Sequence, residues 1–196
     1  MDKVPRMSEP AGGCSPSLDT KQGPRGADAR EALLAGFARL ALSRRYRDFG
    51  VDAIARTAKV ARSTFYYHFR TKDDLLLANL QPFARALGAA LGEAAASPEL
   101  GWWTAHFWQH RGVAARLLVG RIGDGMQSAL TAELRAALLA RDRMLSPDCA
   151  AMRAEQIAGS TMALLRGWIA HRFSASSDEM AVVIWQAGRA LAATPL

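Results

Sequence analysis

The run Val60-Ala61-Arg62-Ser63-Thr64-Phe65-Tyr66-Tyr67-His68-Phe69-Arg70-Thr71-Lys72 interleaves side chains that must be buried with side chains that bond phosphates and base edges. Phe65 and Phe69 share a face at i, i+4, which leaves Arg62, Ser63, Thr64, Tyr67 and His68 pointing outward. A helix this short does not persist alone in water, so neighbours must pack it. Those neighbours are legible upstream. Leu33, Phe37, Leu40 and Ala41 recur on one face of a first helix at about residues 28 to 44, with Asp28 and Glu31 spaced as a capping box. After Tyr46 and Phe49, the positions Val51, Ile54, Ala55 and Ala58 predict a second, short helix. Val60 then plugs the space between the two short helices. Downstream, Thr71 and Asp74 form a capping box that opens a fourth helix. The pattern is that of a helix-turn-helix whose second member, Arg62 to Phe69, lies in a DNA groove.

These residues resemble the DNA-binding domain of tetracycline-repressor-type (TetR/AcrR) transcriptional regulators. The match is carried by Tyr46, Val51, Asp52, Ile54, Ala55, Ala58 and Val60, by Thr64-Phe65-Tyr66-Tyr67-His68-Phe69, and by Lys72 with Asp73, Asp74 and Leu75. Elsewhere the resemblance rests on length and helical pattern. It implies an all-α chain with a three-helix amino-terminal DNA-binding domain and a carboxy-terminal helical domain for effector binding and dimerisation. It also implies a function: a regulator, expected to be a repressor, that binds a palindromic operator in double-stranded DNA as a homodimer and is released by a small apolar effector.

On this reading Arg62, Ser63 and Thr64 face base edges, and Tyr66, Tyr67, His68 and Lys72 hold phosphates. Lys72 is notable because the macrodipole opposes a cation in the first turn of a helix, and an adjacent phosphate would explain its place. Three departures from the family pattern stand out. Gly50 replaces the usual Ser or Thr cap of the second helix and is a weaker cap. Lys59 replaces the usual turn glycine, so the turn either carries about 1 to 2 kcal/mol of left-handed strain or has another shape. Ala61 replaces the usual Ser before the third helix, which removes a cap or phosphate interaction.

Charge is distributed accordingly. The net charge is +7. Basic residues outnumber acidic ones 13 to 7 in residues 1–70 and 12 to 11 in residues 71–196, so the excess lies in the first segment. A basic surface that merely solubilises the chain is the alternative. Cys14 and Cys149 are too few for a disulfide framework or a thiolate metal site, which points to a reducing cytoplasm. No apolar run approaches the ~18 residues of a membrane span, and no membrane partner is expected. The amino-terminal stretch also lacks the apolar core of a signal peptide. Residues 1–27 alternate Pro and Gly and read as a disordered tail, with Lys21 and Arg25 placed where an arm could reach DNA. The predicted organisation is tail 1–27, DNA-binding domain 28–71 and helical domain 72–196.

Beyond Thr71 the pattern stays helical. Leu76, Leu80, Phe83, Leu87 and Leu91 predict a helix at about residues 72 to 95, kinked near Pro82. Further helices are expected at about residues 99 to 110, 112 to 120 and 125 to 143, with Gly120 to Gly125 as a flexible joint. Ser146 with Pro147, and Ser176 with Glu179, start the last two helices. Both of these are apolar around more of their circumference than one core needs. Ile157, Gly159, Met162, Leu165, Val183, Ile184 and Ala187 are therefore the candidate dimer interface.

Trp102, Trp103, Phe107 and Trp108 crowd one short helix together with His106 and His110. Aromatic residues at this density form either core or the wall of a ligand pocket. Trp102, Trp103, His106, Phe107, His110 and Met126 are the candidate effector contacts. The His pair has no third ligand and lacks the Glu of a helical zinc motif, so no metal or other cofactor is expected. No Ser-His-Asp set or paired carboxylates in an apolar setting occur, so no catalytic residue is assigned. Two rival functions remain open: a DNA-binding regulator without an effector, and a helical ligand-binding protein or enzyme.

Overall fold

The computed structural model describes residues 26–193, and among these every regular element is helical. In chain order they are α1 (Gly26–Ser43), a 3-10 turn (Tyr46–Asp48), α2 (Val51–Ala58), α3 (Arg62–His68) and α4 (Lys72–Ala90), then α5 (Pro98–Gln109), α6 (Arg111–Leu117), α7 (Gly120–Arg141), α8 (Pro147–Ile169) and α9 (Ser177–Ala193). Of the expected tail at residues 1–27, Gly26 and Ala27 are part of α1, and the rest, with Lys21, Arg25 and Cys14, lies outside the described residues.

Side-chain caps start four of these helices, three of them where the sequence marks them. Thr71 and Asp74 close a reciprocal capping box on α4. Ser97 caps α5, and Ser146 caps α8 by accepting from the Cys149 amide. Ser176 and Glu179 exchange backbone and side-chain bonds at the start of α9, and these bonds hold the Glu179 carboxyl below its usual range. The two helices of the motif are weaker in this respect. Neither Gly50 before α2 nor Ala61 before α3 supplies a side-chain cap. Lys59 takes the left-handed conformation, φ 56° and ψ 38°, so the strained form of the turn is the one adopted.

Two apolar clusters organise the chain. Leu33, Phe37, Ile54, Phe65 and Leu75 are fully buried in the first, which holds α1 to α3 and the start of α4 together. Gly36 lets α1 cross α2 closely, because a Cβ there would stand 3.1 Å from the Ala58 nitrogen. The second cluster runs from Phe83 to Ile184 and is built by α4 to α9. Helix α4 belongs to both and continues through Pro82 without interruption. Thus one continuous helix links the head to the body.

Several expectations are corrected here. Asp28 lies inside the first turn of α1 and is not its cap. Helix α4 ends at Ala90, short of the expected residue 95. Gly120 to Gly125 is not a joint: it forms the first turns of α7, with Gly120 at φ 60° making the entry. The reason is packing against the end of α6. Gly123 sits against the Leu118 carbonyl, where a Cβ would meet the oxygen at 2.3 Å, and Arg166 Nε donates to that same oxygen at 2.7 Å. Because the obstacle is pinned backbone, Gly123→Ala should cost about 2 to 3 kcal/mol. A fall in Tm of roughly 5 to 10 °C is expected in a thermal melt; an unchanged Tm would mean that this junction is soft.

The candidate dimer residues also divide. Ile157, Met162, Leu165 and Ile184 are fully buried in the protomer's own core and cannot meet a partner. These side chains belong to the second cluster, together with Leu91 and Leu134. The outer face keeps Gly159, Ser160, Ala163, Leu164, Val182, Val183 and Ala187, with Val182 and Val183 40% and 39% exposed.

Candidate nucleic-acid interface and ligand cavity

Helix α3 is anchored by Phe65 and Phe69, both buried, and turns its remaining side chains outward. Arg62 and Ser63 are exposed, Thr64 is half-buried, and Tyr66 and Tyr67 are 48% and 83% exposed. Arg62 is oriented within this surface. Its Nη1 lies 2.9 Å from Asp52 Oδ1 on α2, and its Nη2 donates to the Tyr66 hydroxyl at 3.2 Å with the guanidinium over the Tyr66 ring. The Tyr66 bond and the Asp52 charge together raise the Arg62 pKa. A guanidinium steered by a carboxylate and a phenol presents its fork in one direction. Asp52 was legible only as a family match, because nothing in its spacing announces a partner ten positions on.

His68 and Lys72 are placed differently from Arg62. His68 is half-buried, with its ring against Tyr67 and Phe69, and its Nε2 is enclosed without a partner among the described residues. Lys72 reaches back into the head, donating from Nζ to the backbone oxygens of Tyr46 at 2.5 Å and Phe49 at 2.8 Å. Its ammonium also lies 3.9 Å from the Tyr46 ring centroid. Burial lowers its pKa, against the opposing pull of Asp73. The macrodipole argument for a phosphate at Lys72 is therefore corrected: carbonyl oxygens and aromatic faces satisfy the cation.

The same corner holds a second polar connection that the sequence did not announce. The Tyr46 hydroxyl donates to Asp73 Oδ1, and Arg121 Nη2 at the start of α7 bonds Asp73 Oδ2 at 2.7 Å. Burial, then the Asp73 bond, raises the Tyr46 pKa. Asp73 so joins the 3-10 turn of the head to α7 of the body.

A cavity of about 220 Å³ lies where head and body meet. Its head wall is Phe37, Ala38, Ala41 and Leu42 of α1, and its floor is Leu76, Asn79 and Leu80 of α4. Trp102, Trp103, His106, Phe107 and His110 line it from α5, and α6 completes it. Five of the six sequence-designated effector residues are thus brought together. Met126 is not among them; it is buried in the body core. The crowded aromatics prove to be both core and wall, since Trp103 and Phe107 pack on Phe83 and also face the cavity. The α1 wall escaped sequence reading, because an amphipathic helix does not declare which apolar residues will border a void.

Three polar side chains face this space. Trp102 stacks on His106, with centroids 5.0 Å apart at 12°, and His106 meets His110 at 4.7 Å. Burial and then the neighbouring His110 lower the His106 pKa, which disfavours its charged form. Asn79 spends its amide hydrogen on the Leu75 oxygen. Among the described residues no cluster of metal-ligating side chains occurs, and no helix is long and apolar enough to cross a membrane.

Residues 33–78 match the family described as bacterial regulatory proteins, tetR family. Over 74 residues the chain is 31% identical to the HTH-type transcriptional regulator EthR of Mycolicibacterium smegmatis, a stretch covering 38% of this chain and 34% of that protein. The chain therefore matches about a third of that curated relative. In fold it is similar to a TetR transcriptional regulator from Rhodococcus sp. RHA1, with TM-score 0.58 and 16% identity over 85% of this chain and 97% of the other. A tetR-family regulator from Streptomyces coelicolor gives TM-score 0.52 at 16% identity over 84% and 80% of the two chains. These relatives are described as regulators and not as enzymes. A helix-turn-helix at residues 33–78 that matches the tetR family in sequence thus stands on a described helical fold similar to those of two tetR-family regulators.

Proposed function

We propose that this protein is a cytoplasmic transcriptional repressor that binds a palindromic operator as a homodimer and leaves it when a small molecule enters the cavity between head and body. The observation that carries the DNA reading is α3: a helix pinned by Phe65 and Phe69 whose outward face offers Arg62, Ser63, Thr64, Tyr66 and Tyr67. Arg62, Ser63 and Thr64 read base edges from the start of the helix, and the tyrosines meet the backbone. Two such helices must be held apart by a fixed distance. The outer face of α8 and α9, small and apolar from Gly159 to Ala187, supports a four-helix bundle between two copies. Repression is released only by a ligand that prefers the non-binding arrangement. The cavity supports this, because one wall is α1 itself: a molecule filling it touches the head and the body at once.

Selection of bound sequences from random duplex DNA, followed by binding across a salt series, tests this reading. Recovery of a two-fold symmetric site with steep salt dependence is expected. Binding with no sequence preference would sink it. Within the selected site, Arg62→Ala should lose about 1 to 3 kcal/mol at one position of each half-site. Asp52→Ala should leave the affinity for mixed DNA nearly unchanged and broaden the preference at that same position, since it frees the guanidinium to reorient. An unaltered preference in both variants would remove Arg62 from the reading surface.

A further inference from the structure

From the polar groups that face the cavity between α1 and α5, we infer that its ligand is a neutral hydroxyaromatic compound: one ring or two fused rings, carrying a hydroxyl that donates to the His106–His110 pair. This rests on the cavity being the effector site. Size sets the first limit. At about 220 Å³ the space exceeds the roughly 150 Å³ that encloses a benzene-sized ligand and suits a substituted ring or a bicycle. Shape and lining set the second. Trp102, Trp103, Phe107 and Phe37 offer ring faces and edges, which favour a flat aromatic body over a flexible chain.

The hydrogen-bonding inventory sets the third limit. Among the described residues, neither imidazole makes a hydrogen bond; their contacts are with other rings. An imidazole in its neutral form has one acceptor nitrogen and one N–H donor. Asn79 keeps its carbonyl oxygen after its amide is spent on Leu75. The wall thus presents unspent acceptors, and imidazole N–H donors beside them, without full charges: no Lys, Arg, Asp or Glu lines it. A carboxylate would be desolvated there without a cation, and an ammonium without an anion, each at large cost. A hydroxyl on an aromatic ring meets the acceptors with a donor and brings no charge. Its apolar body then lies against Ala38, Ala41 and Leu42 of α1.

The probes are 4-ethylphenol, its isostere 4-ethyltoluene, 4-ethylbenzoate and 4-ethylbenzylamine, titrated calorimetrically into the full chain at neutral pH. 4-Ethylphenol is expected to bind roughly 3- to 10-fold more tightly than 4-ethyltoluene, the worth of one neutral hydrogen bond, and the two charged compounds more weakly than either. His106→Phe keeps a ring against Trp102 and removes the acceptor. Combined with His110→Phe, so that neither imidazole remains, it should bring the phenol and the toluene to equal affinity. Equal affinities in the wild-type protein, or tighter binding of the benzoate or the amine, would overturn the ligand class and leave the effector cavity standing. Binding of none of the four would overturn the class and the cavity's role together. The wild-type comparison of the isosteric pair does not depend on any variant folding.

Discussion

A Lys72→Met variant is expected to lose about 2 to 3 kcal/mol of stability while binding operator with an unchanged salt slope. The ammonium donates to two backbone oxygens, at Tyr46 and Phe49, and sits over two aromatic rings. Removing it leaves both carbonyls without their donor in a half-buried corner and forfeits the cation–π attraction. Methionine keeps the aliphatic stem, so lost packing contributes little. A lysine bound to phosphate behaves in the opposite way: its removal leaves stability alone and reduces the salt slope by about one unit. Chemical denaturation paired with salt-dependent binding separates the two roles. A stable variant with a flattened slope would show that Lys72 swings out to DNA, and the internal role assigned to it would fall.

Gly159→Arg should convert the proposed dimer into folded monomers that bind operator poorly, whereas Ile184→Asp should abolish folding. The contrast follows from where each side chain points. A Cβ on Gly159 would meet nothing closer than the Gln127 amide nitrogen at 3.9 Å, so the protomer accommodates a longer side chain there. In a bundle of two copies, however, the arginine and its symmetry mate would be buried without partners, at a cost of several kcal/mol. Ile184 is fully enclosed by the protomer's own core, and an aspartate there is an unpaired buried charge in any assembly state. Light scattering and circular dichroism read both outcomes. A Gly159→Arg protein that stays dimeric would exclude the outer face of α8 and α9 as the interface.

Much of the architecture was legible because its causes are local. Thr71 with Asp74, Ser146 with Pro147, and Ser176 with Glu179 each act within one helical turn, and the helices begin where these residues stand. The spacing of Phe65 and Phe69 likewise decides which side of α3 faces out, whatever else the chain does. The failures share another cause. Gly120 to Gly125 carries the composition of a joint, yet it is helical because the end of α6 and Arg166 of α8 close around it. The apolar surplus of α8 and α9 is visible in the sequence, but Ile157, Met162, Leu165 and Ile184 belong to the edge that faces the body. A wide apolar stripe does not say which edge meets the body and which is left over.

By itself, then, the sequence determined the helical character of the described chain, the boundaries set by caps and the burial pattern of α3, all through interactions spanning one or two turns, and it carries the family match of residues 33–78. Only the tertiary structure decided where Lys72 spends its charge, that Asp52 steers Arg62, that Asp73 joins Tyr46 to Arg121, and that α1 walls the cavity beside His106. Each of these joins side chains from different helices. Their distances depend on how those helices cross, and the crossing is settled by close packing of the whole core rather than by any one segment's periodicity.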